Sequence, residues 1–370
     1  MRDTMGIIFT ESDDVTLKEL TELRSTAALP VAGRYRLIDF VLSGMVNSGI
    51  INVGVATKHK YSSLMEHLGA GSAWDLQREN YGLHVLPPFV SHEQYGILGG
   101  EIDILMGIMP YLRNSRQRYV VLSEGNTICN ITFRAAMDMH KKSCADVTII
   151  YRKEKAENLP HSLVAEITPE GRVTGLEYMP RRPKSVYASM DMYILEKELL
   201  IRICESCAAR GEHSFVMDAL VRNLSNLKIF GWEYKGYAGR VDSTASYFSC
   251  NMDVLKEEVR AALFGQENPI YTKVKNRIPS KYGDSAEVSD CLVADGCVIE
   301  GTAENCIIFR GVKIGKHSHL KNCVIMEKTH IDTNCEAENV IFDKECLMRE
   351  GKRLIGQPSY PVIIRKGTVV

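Results

Sequence analysis

From residue 5 to about 255, short β-branched and apolar runs alternate with longer amphipathic stretches, the pattern of an α/β domain with a largely parallel sheet. Residues 5–9, 52–56, 119–122 and 146–151 are apolar at nearly every position and read as strands buried on both faces. Between the first two, Leu37, Phe40, Val41 and Met45 fall on helical spacing and Asn47-Ser48-Gly49 offers a glycine stop, so a helix is expected over 37–47. Residues 243–264 read as one long helix closing the domain. Beyond it, Asn268-Pro269, Ile278-Pro279 and Gly283 have turn chemistry without periodicity. The expected division is an α/β domain at 1–260, a linker at 261–285 and a further domain at 286–370.

That last domain has a different period. Asn305-Cys306-Ile307-Ile308-Phe309, Asn322-Cys323-Val324-Ile325-Met326 and Asn339-Val340-Ile341-Phe342 recur with their asparagines about 17 residues apart. Half-steps such as Val312-Lys313-Ile314-Gly315 and His330-Ile331-Asp332 lie between them. Short apolar strands about six residues apart, three to a rung, are what a parallel β-helix of hexapeptide type requires. Each rung lays its inward Val, Ile or Cys on the one below.

Composition narrows the function classes. A hydrophobic share of 45% in 370 residues allows two cored domains. Forty-five Lys and Arg against 46 Asp and Glu leave a net charge of −1, with no basic field to drive nucleic-acid binding. No apolar run reaches bilayer length, and the run at 5–9 meets Glu11, Asp13 and Asp14 where a leader needs its cleavage region. A cytoplasmic protein with no membrane partner is expected. Eleven cysteines, mostly single within apolar stretches, read as buried reduced thiols. Cys204 and Cys207 form a CxxC with no second pair or histidines to complete a zinc site. Trp74 and Trp232 are expected to pack, and His317, His319 and His330 to be solvated on the solenoid rather than to serve as an acyltransferase base.

Arg34-Tyr35-Arg36-Leu37-Ile38-Asp39-Phe40-Val41-Leu42-Ser43, followed by Val46-Asn47-Ser48-Gly49-Ile50, resembles the N-terminal signature of bacterial ADP-glucose pyrophosphorylases (glucose-1-phosphate adenylyltransferases). Ala188-Ser189-Met190-Asp191-Met192-Tyr193 is similar to that family's ASMGIY stretch, and Asn268-Pro269-Ile270-Tyr271-Thr272 to its WPIYT segment. The resemblance implies a nucleotidyltransferase (Rossmann-like, GT-A type) mixed-sheet α/β domain followed by a C-terminal left-handed parallel β-helix, usually in a tetramer. It also implies the reaction of ATP with glucose 1-phosphate to give ADP-glucose and pyrophosphate in glycogen biosynthesis. That chemistry rests on positioning and charge neutralisation, with Mg2+ held by carboxylates and a glycine-rich loop cradling phosphates.

The resemblance fails at the positions this chemistry needs. The family's GGxGxR loop falls on Glu11-Ser12-Asp13-Asp14-Val15-Thr16, which has no glycine and ends in Thr16 instead of arginine. Each like-charge pair ~4–6 Å apart costs roughly 3–4 kcal/mol at an effective dielectric near 20, so the loop is expected to reject triphosphate. The family's RAKP lysine becomes Thr26. Its metal aspartates fall on Gly125, in Leu122-Ser123-Glu124-Gly125-Asn126, and on Arg240, in Arg240-Val241-Asp242-Ser243. Its EKP motif becomes Arg181-Arg182-Pro183, which drops the glutamate.

Four losses at phosphate, metal and sugar contacts beside intact scaffold motifs resemble the noncatalytic regulatory subunit of this family. Such a subunit would need no cofactor of its own and would act on a catalytic ADP-glucose pyrophosphorylase subunit in a hetero-oligomer, a tetramer, or as a homo-oligomer. Arg34, Arg36, Arg181, Arg182 and Arg240 are candidate contacts for a sugar-phosphate or other anionic effector. Arg34 aligns with a basic position the family uses around its allosteric site, while Arg36 could instead pair with Asp39 at i,i+3. The alternative is an active sugar-phosphate nucleotidyltransferase with a remodelled metal site using Asp242, Asp103 or Asp75. A solenoid-based acyltransferase or scaffold is the third.

Overall fold

The computed structural model of the chain describes residues 1–10, 16–17, 19–87, 100–155, 159 and 162–370. The first buried run becomes β1 (Thr4–Phe9). Two short antiparallel strands, β2 (Pro30–Val31) and β3 (Tyr35–Arg36), lead into α1 (Leu37–Asn47), then β4 (Asn52–Ala56), α2 (Ser62–Leu68) and β5 (Gly82–Leu86). The chain continues through α3 (Glu101–Gly107), α4 (Met109–Asn114), β6 (Tyr119–Glu124), β7 (Thr127–Cys129), α5 (Arg134–Lys142) and β8 (Val147–Lys153). It completes the sheet with β9 (Leu163–Ile167), β10 (Val173–Tyr178), β11 (Tyr187–Glu196), α6 (Lys197–Ala209), β12 (Ile229–Glu233) and β13 (Ala238–Arg240).

The nine-stranded sheet runs β10-β9-β11-β6-β1-β4-β5, with β8 and β12 branching from β11. Strands β6, β1, β4 and β5 are parallel, and β11 is antiparallel to β6, which makes the sheet mixed. Neighbours in β1 face opposite ways, as a strand's period of two requires. Ile7 packs with Leu105, Leu112 and Leu200 of α3, α4 and α6, while Ile8 packs with Val41 of α1 and Ala136 of α5. Burial on both faces is why these runs are uniformly apolar.

The N-terminus of α1 is capped where the Arg36 backbone N–H donates to Asp39 Oδ2 at 2.9 Å. Its C-terminus ends at Gly49, which has φ +85° and donates to the Val46 carbonyl at 2.8 Å. Close helix–strand packing needs Gly6, where a Cβ would lie 2.3 Å from Met45 Sδ.

The expected helix over 243–264 is two helices, α7 (Thr244–Asp253) and α8 (Glu257–Leu263). Fully buried Val254 ends the first, and Lys256 is extended at φ −75°, ψ 133°. Arg260 satisfies the freed carbonyls, donating to Val254 at 3.4 Å and to Leu255. Acidic Glu257 and Glu258 suit the new N-terminus. With α8 running to Leu263 and the first solenoid strand opening at Lys281, both elements reach into 261–285.

From Lys281–Tyr282 to Val362–Ile364 the chain forms three five-stranded parallel sheets, the walls of a left-handed β-helix. Asn305, Asn322 and Asn339 occupy its corners at φ +52°, +50° and +53°. Asparagine tolerates this left-handed conformation, which explains the residue that repeats. Asn305 Nδ2 donates to Asn322 Oδ1 at 2.5 Å, one rung on. Cys291, Cys306 and Cys323 stack in the same manner, the Cys291 and Cys306 sulfurs accepting the next rung's cysteine N–H at 3.3 and 3.4 Å.

The solenoid packs on the α/β domain through Ile307, Phe309, Val324 and Met326, which share one apolar cluster with Leu37, Phe40, Tyr247 and Val254. Within the same interface Arg24 Nη2 donates to both carboxylate oxygens of Asp343 at 2.7 and 2.5 Å, both side chains almost fully buried. Among the described residues, no helix is long and apolar enough to cross a membrane.

Candidate functional site

In a parallel sheet, ligands gather at the carboxyl ends of the strands. Here those ends are Phe9 of β1 and Glu124 of β6, followed by Gly125 and Asn126. Gly125 donates its N–H to the Phe9 carbonyl at 2.8 Å, which draws the chain tightly across the top of β1. β7 then pairs antiparallel with β13, setting Arg240 opposite Thr127, and Val241 donates to the Asn126 carbonyl at 2.9 Å. Gly125 and Arg240, the two positions on which the family's metal aspartates fall and where metal binding is expected to be lost, are thereby brought together.

A third strand completes the site. β11 bulges between Ser189 and Met192, placing Asp191 at φ +53°. Its carboxylate contacts the Arg240 guanidinium directly and accepts a hydrogen bond from the Tyr193 hydroxyl at 3.1 Å. Arg240 Nε lies 3.9 Å from Asp242 Oδ2, beyond hydrogen-bond reach. Asp191 raises the Arg240 pKa further, against the opposing effect of burial. Burial, with Glu101 and Asp191 nearby, pushes the Glu124 carboxyl well up, and its buried Oε2 has no hydrogen-bond partner.

These residues do not fit a magnesium ion. Mg2+ needs open carboxylate oxygens, yet a guanidinium fills the Arg240 position and Gly125 has no side chain. There is also no room for one, because a Cβ there would lie 2.9 Å from Ala27 Cβ, 3.0 Å from the Phe9 carbonyl oxygen and 3.3 Å from Ile8 Cγ2. Asp242 faces the cap of α7, where its Oδ1 accepts from Ser246 Oγ at 3.0 Å and its backbone carbonyl from Thr16 Oγ1. Among the described residues no group of three or more His, Cys, Asp or Glu side chains could hold a metal.

Several other residues singled out by the sequence are scattered. Glu11, Ser12, Asp13 and Asp14 lie outside the described residues. Thr26 is fully buried in a turn of 3-10 helix under the site. Asp103 caps α3, accepting from Gly100 N–H at 3.1 Å, and pairs with His213 at 2.9 Å. The Asp75 side chain is 86% exposed and pairs with Arg78. Arg181 and Arg182 are exposed between β10 and β11. Cys204 and Cys207 are buried free thiols on α6, pushed up to about 12 and about 11 by burial.

A second concavity, a cavity of about 460 Å³, opens where the α/β domain meets the solenoid. Eight cationic side chains and three carboxylates line it, Arg24, Arg36, Lys275, Arg310 and Lys344 among the cations. Arg36 hydrogen-bonds Asp39 through its backbone N–H. Its guanidinium donates to the Ser63 carbonyl and Oγ at 2.6 and 3.0 Å, and burial lowers its pKa. Glu327 bridges Lys275 at 2.9 Å and Lys344 at 3.2 Å. Although burial raises it, these two ammonium groups hold Glu327 down at about 2. Arg34 does not line the cavity and sits 3.8 Å from Asp295 on the solenoid.

Of this lining, only Arg36 stood out in the sequence. The available signal was the rung period, since Glu327 and Lys344 stand 17 residues apart on one corner.

Comparison with known proteins agrees with this architecture. A nucleotidyl transferase signature matches residues 15–231, more than half of the chain, and a GlmU-like C-terminal hexapeptide signature matches residues 276–359. The glycogen biosynthesis protein GlgD of Bacillus subtilis (strain 168) is 36% identical over 99% of this chain and 96% of its own length. GlgD of Geobacillus stearothermophilus is 40% identical over the same shares. The glucose-1-phosphate adenylyltransferase of Bacillus subtilis (strain 168) is 33% identical over 82% of this chain and 80% of its own length. With both domains matched and near full-length identity at this level, the chain belongs to the nucleotidyl transferase family of glycogen biosynthesis that contains GlgD and the glucose-1-phosphate adenylyltransferases.

Proposed function

We propose that the chain is a regulatory subunit of glucose-1-phosphate adenylyltransferase, weak or inactive by itself, that acts by joining a catalytic subunit in a mixed oligomer. The observation that carries this reading is the contact of Arg240 with Asp191 at a strand end where the family's reaction needs a metal-holding carboxylate. Crowding at Gly125 adds to it, because the second carboxylate position is occluded rather than merely vacated. The alternative of a remodelled metal site relies on Asp242, Asp103 or Asp75. The first has Oδ1 held by Ser246 and Oδ2 facing the Arg240 guanidinium at 3.9 Å, the second is held by its helix cap and His213, and the third is on the surface.

A regulatory subunit also needs somewhere to sense an effector. The cationic junction cavity suits a phosphorylated sugar, since phosphate oxygens accept charge-assisted hydrogen bonds from arginine and lysine. It lies between the two domains, so a ligand there can bias their relative arrangement and hence the shape offered to a partner. Coupling of ~1–3 kcal/mol, five- to 150-fold in apparent affinity, is the usual scale of such effects.

The test is ADP-glucose formation by the purified chain alone, by a catalytic subunit alone, and by the two co-expressed. The expected result is negligible turnover alone and a mixed species whose maximal rate or substrate affinity differs from the partner's. Failure to form a mixed species at micromolar concentration, or unaltered kinetics within it, would contradict the proposal.

A further inference from the structure

Two of the positions at which this chain departs from the family motifs touch each other. The glycine of the ASMGIY stretch is Asp191 here, and the aspartate expected at the end of β13 is Arg240. Asp191 sits in a bulge at φ +53°, a left-handed conformation that suits glycine better than an L-residue. A charged side chain at such a position needs partners that hold it there. Three contacts to Asp191 supply it: the Arg240 guanidinium, the Tyr193 hydroxyl at 3.1 Å and Ser189 Oγ, which accepts the Asp191 N–H at 3.0 Å. Their side chains are only 31% and 14% exposed for Arg240 and Asp191, so removing either strands a partly buried charge. Asp242 Oδ2 lies 3.9 Å from Nε of the same guanidinium, while Asp191 contacts its Nη1.

We propose that the Arg240 guanidinium stands in for the family's divalent cation, neutralising Asp191 and Asp242 from within the chain, so that the two substitutions are one coupled change and the site excludes metal by construction. The proposal deepens the noncatalytic reading of this site and rests on it. Its test measures metal binding and stability, so that its failure is separable from any failure of the regulatory action, which mixed-oligomer kinetics reads.

Mn2+, titrated into the full-length protein and followed by the loss of the free-ion electron paramagnetic resonance signal, is the probe. The wild type should show no Mn2+ site that Asp191→Asn removes. Arg240→Gln should gain one at least about tenfold tighter than any in the wild type, because Asp191 and Asp242 both lose the cation beside them. Arg240→Gln combined with Asp191→Asn should lose that gain. Because Arg240→Gln strands Asp191, a thermal-midpoint cycle with Asp191→Gly is the second arm. The double variant should fall by less than the sum of the two single losses, and an Arg240→Gln chain that folds only with Asp191→Gly present supports the coupling. A wild-type Mn2+ site abolished by Asp191→Asn, a folded Arg240→Gln variant with no gain, or additive midpoint losses would each overturn the proposal.

Discussion

Replacing Gly125 tests whether the catalytic position is merely empty or is closed by packing. A Cβ there meets Ala27 Cβ at 2.9 Å, the Phe9 carbonyl oxygen at 3.0 Å and Ile8 Cγ2 at 3.3 Å. None of these is the free end of a flexible side chain. Ala27 is tied down by its N–H to the Thr10 carbonyl at 3.2 Å, and the Phe9 carbonyl accepts the Gly125 N–H. Adding one methyl to such a site costs about 1–3 kcal/mol, which is the expected loss for Gly125→Ala. Gly125→Asp should lose more, because its carboxylate would lie beside Glu124, whose own carboxyl burial already pushes up. Urea unfolding followed by tryptophan fluorescence reads the correct domain, since Trp74 and Trp232 both belong to the α/β domain. Gly265→Ala, where the nearest atom would be Ala261 O at 3.4 Å, serves as control and should stay within about 0.5 kcal/mol. An unchanged midpoint for Gly125→Ala, or Mg2+-dependent turnover from Gly125→Asp with Arg240→Asp, would refute the reasoning.

Arg24→Ala should cost about 3–5 kcal/mol in urea melts because it strands buried Asp343, whereas Arg24→Met with Asp343→Leu should recover most of that loss. Glu327 is held at about 2 against an ordinary 4.5, so its contribution, about 3 kcal/mol, is present above pH 4.5 and lost as pH falls through 2. Glu327→Gln should flatten that acid limb of the stability profile. In the mixed oligomer, Arg36→Ala and Lys344→Ala should each weaken a sugar-phosphate response, read as the shift in half-activating concentration, while Arg34→Ala, outside the cavity lining, should leave it within about twofold.

The fold was legible wherever one periodicity dominated. Residues 5–9 and 52–56 could only be strands buried on both faces, and the 17-residue asparagine repeat marked the solenoid because each rung reuses the same left-handed corner. The break between α7 and α8 was not legible, because 254–256 contains no glycine or proline, while Val254 is buried in the apolar cluster shared with the solenoid. At the site, the sequence exposed what had been lost at Gly125 and Arg240 but not what had been gained. Asp191 is 49 residues from Arg240 in the chain, and only the β11 bulge turns its carboxylate toward β13. The junction cavity was hidden for the same reason: Arg24, Lys275 and Lys344 come from three separated segments that meet only once the solenoid docks.

The central claim is that this chain has exchanged catalysis for action on a partner. The most direct test is the rate of ADP-glucose formation from ATP and glucose 1-phosphate at saturating Mg2+, for the isolated chain and for its co-purified complex with a catalytic subunit. Turnover at background for the chain alone, with altered maximal rate or substrate affinity in the complex, is the predicted result. Turnover by the isolated chain in the ordinary enzyme range of ~1–10³ per second would contradict it.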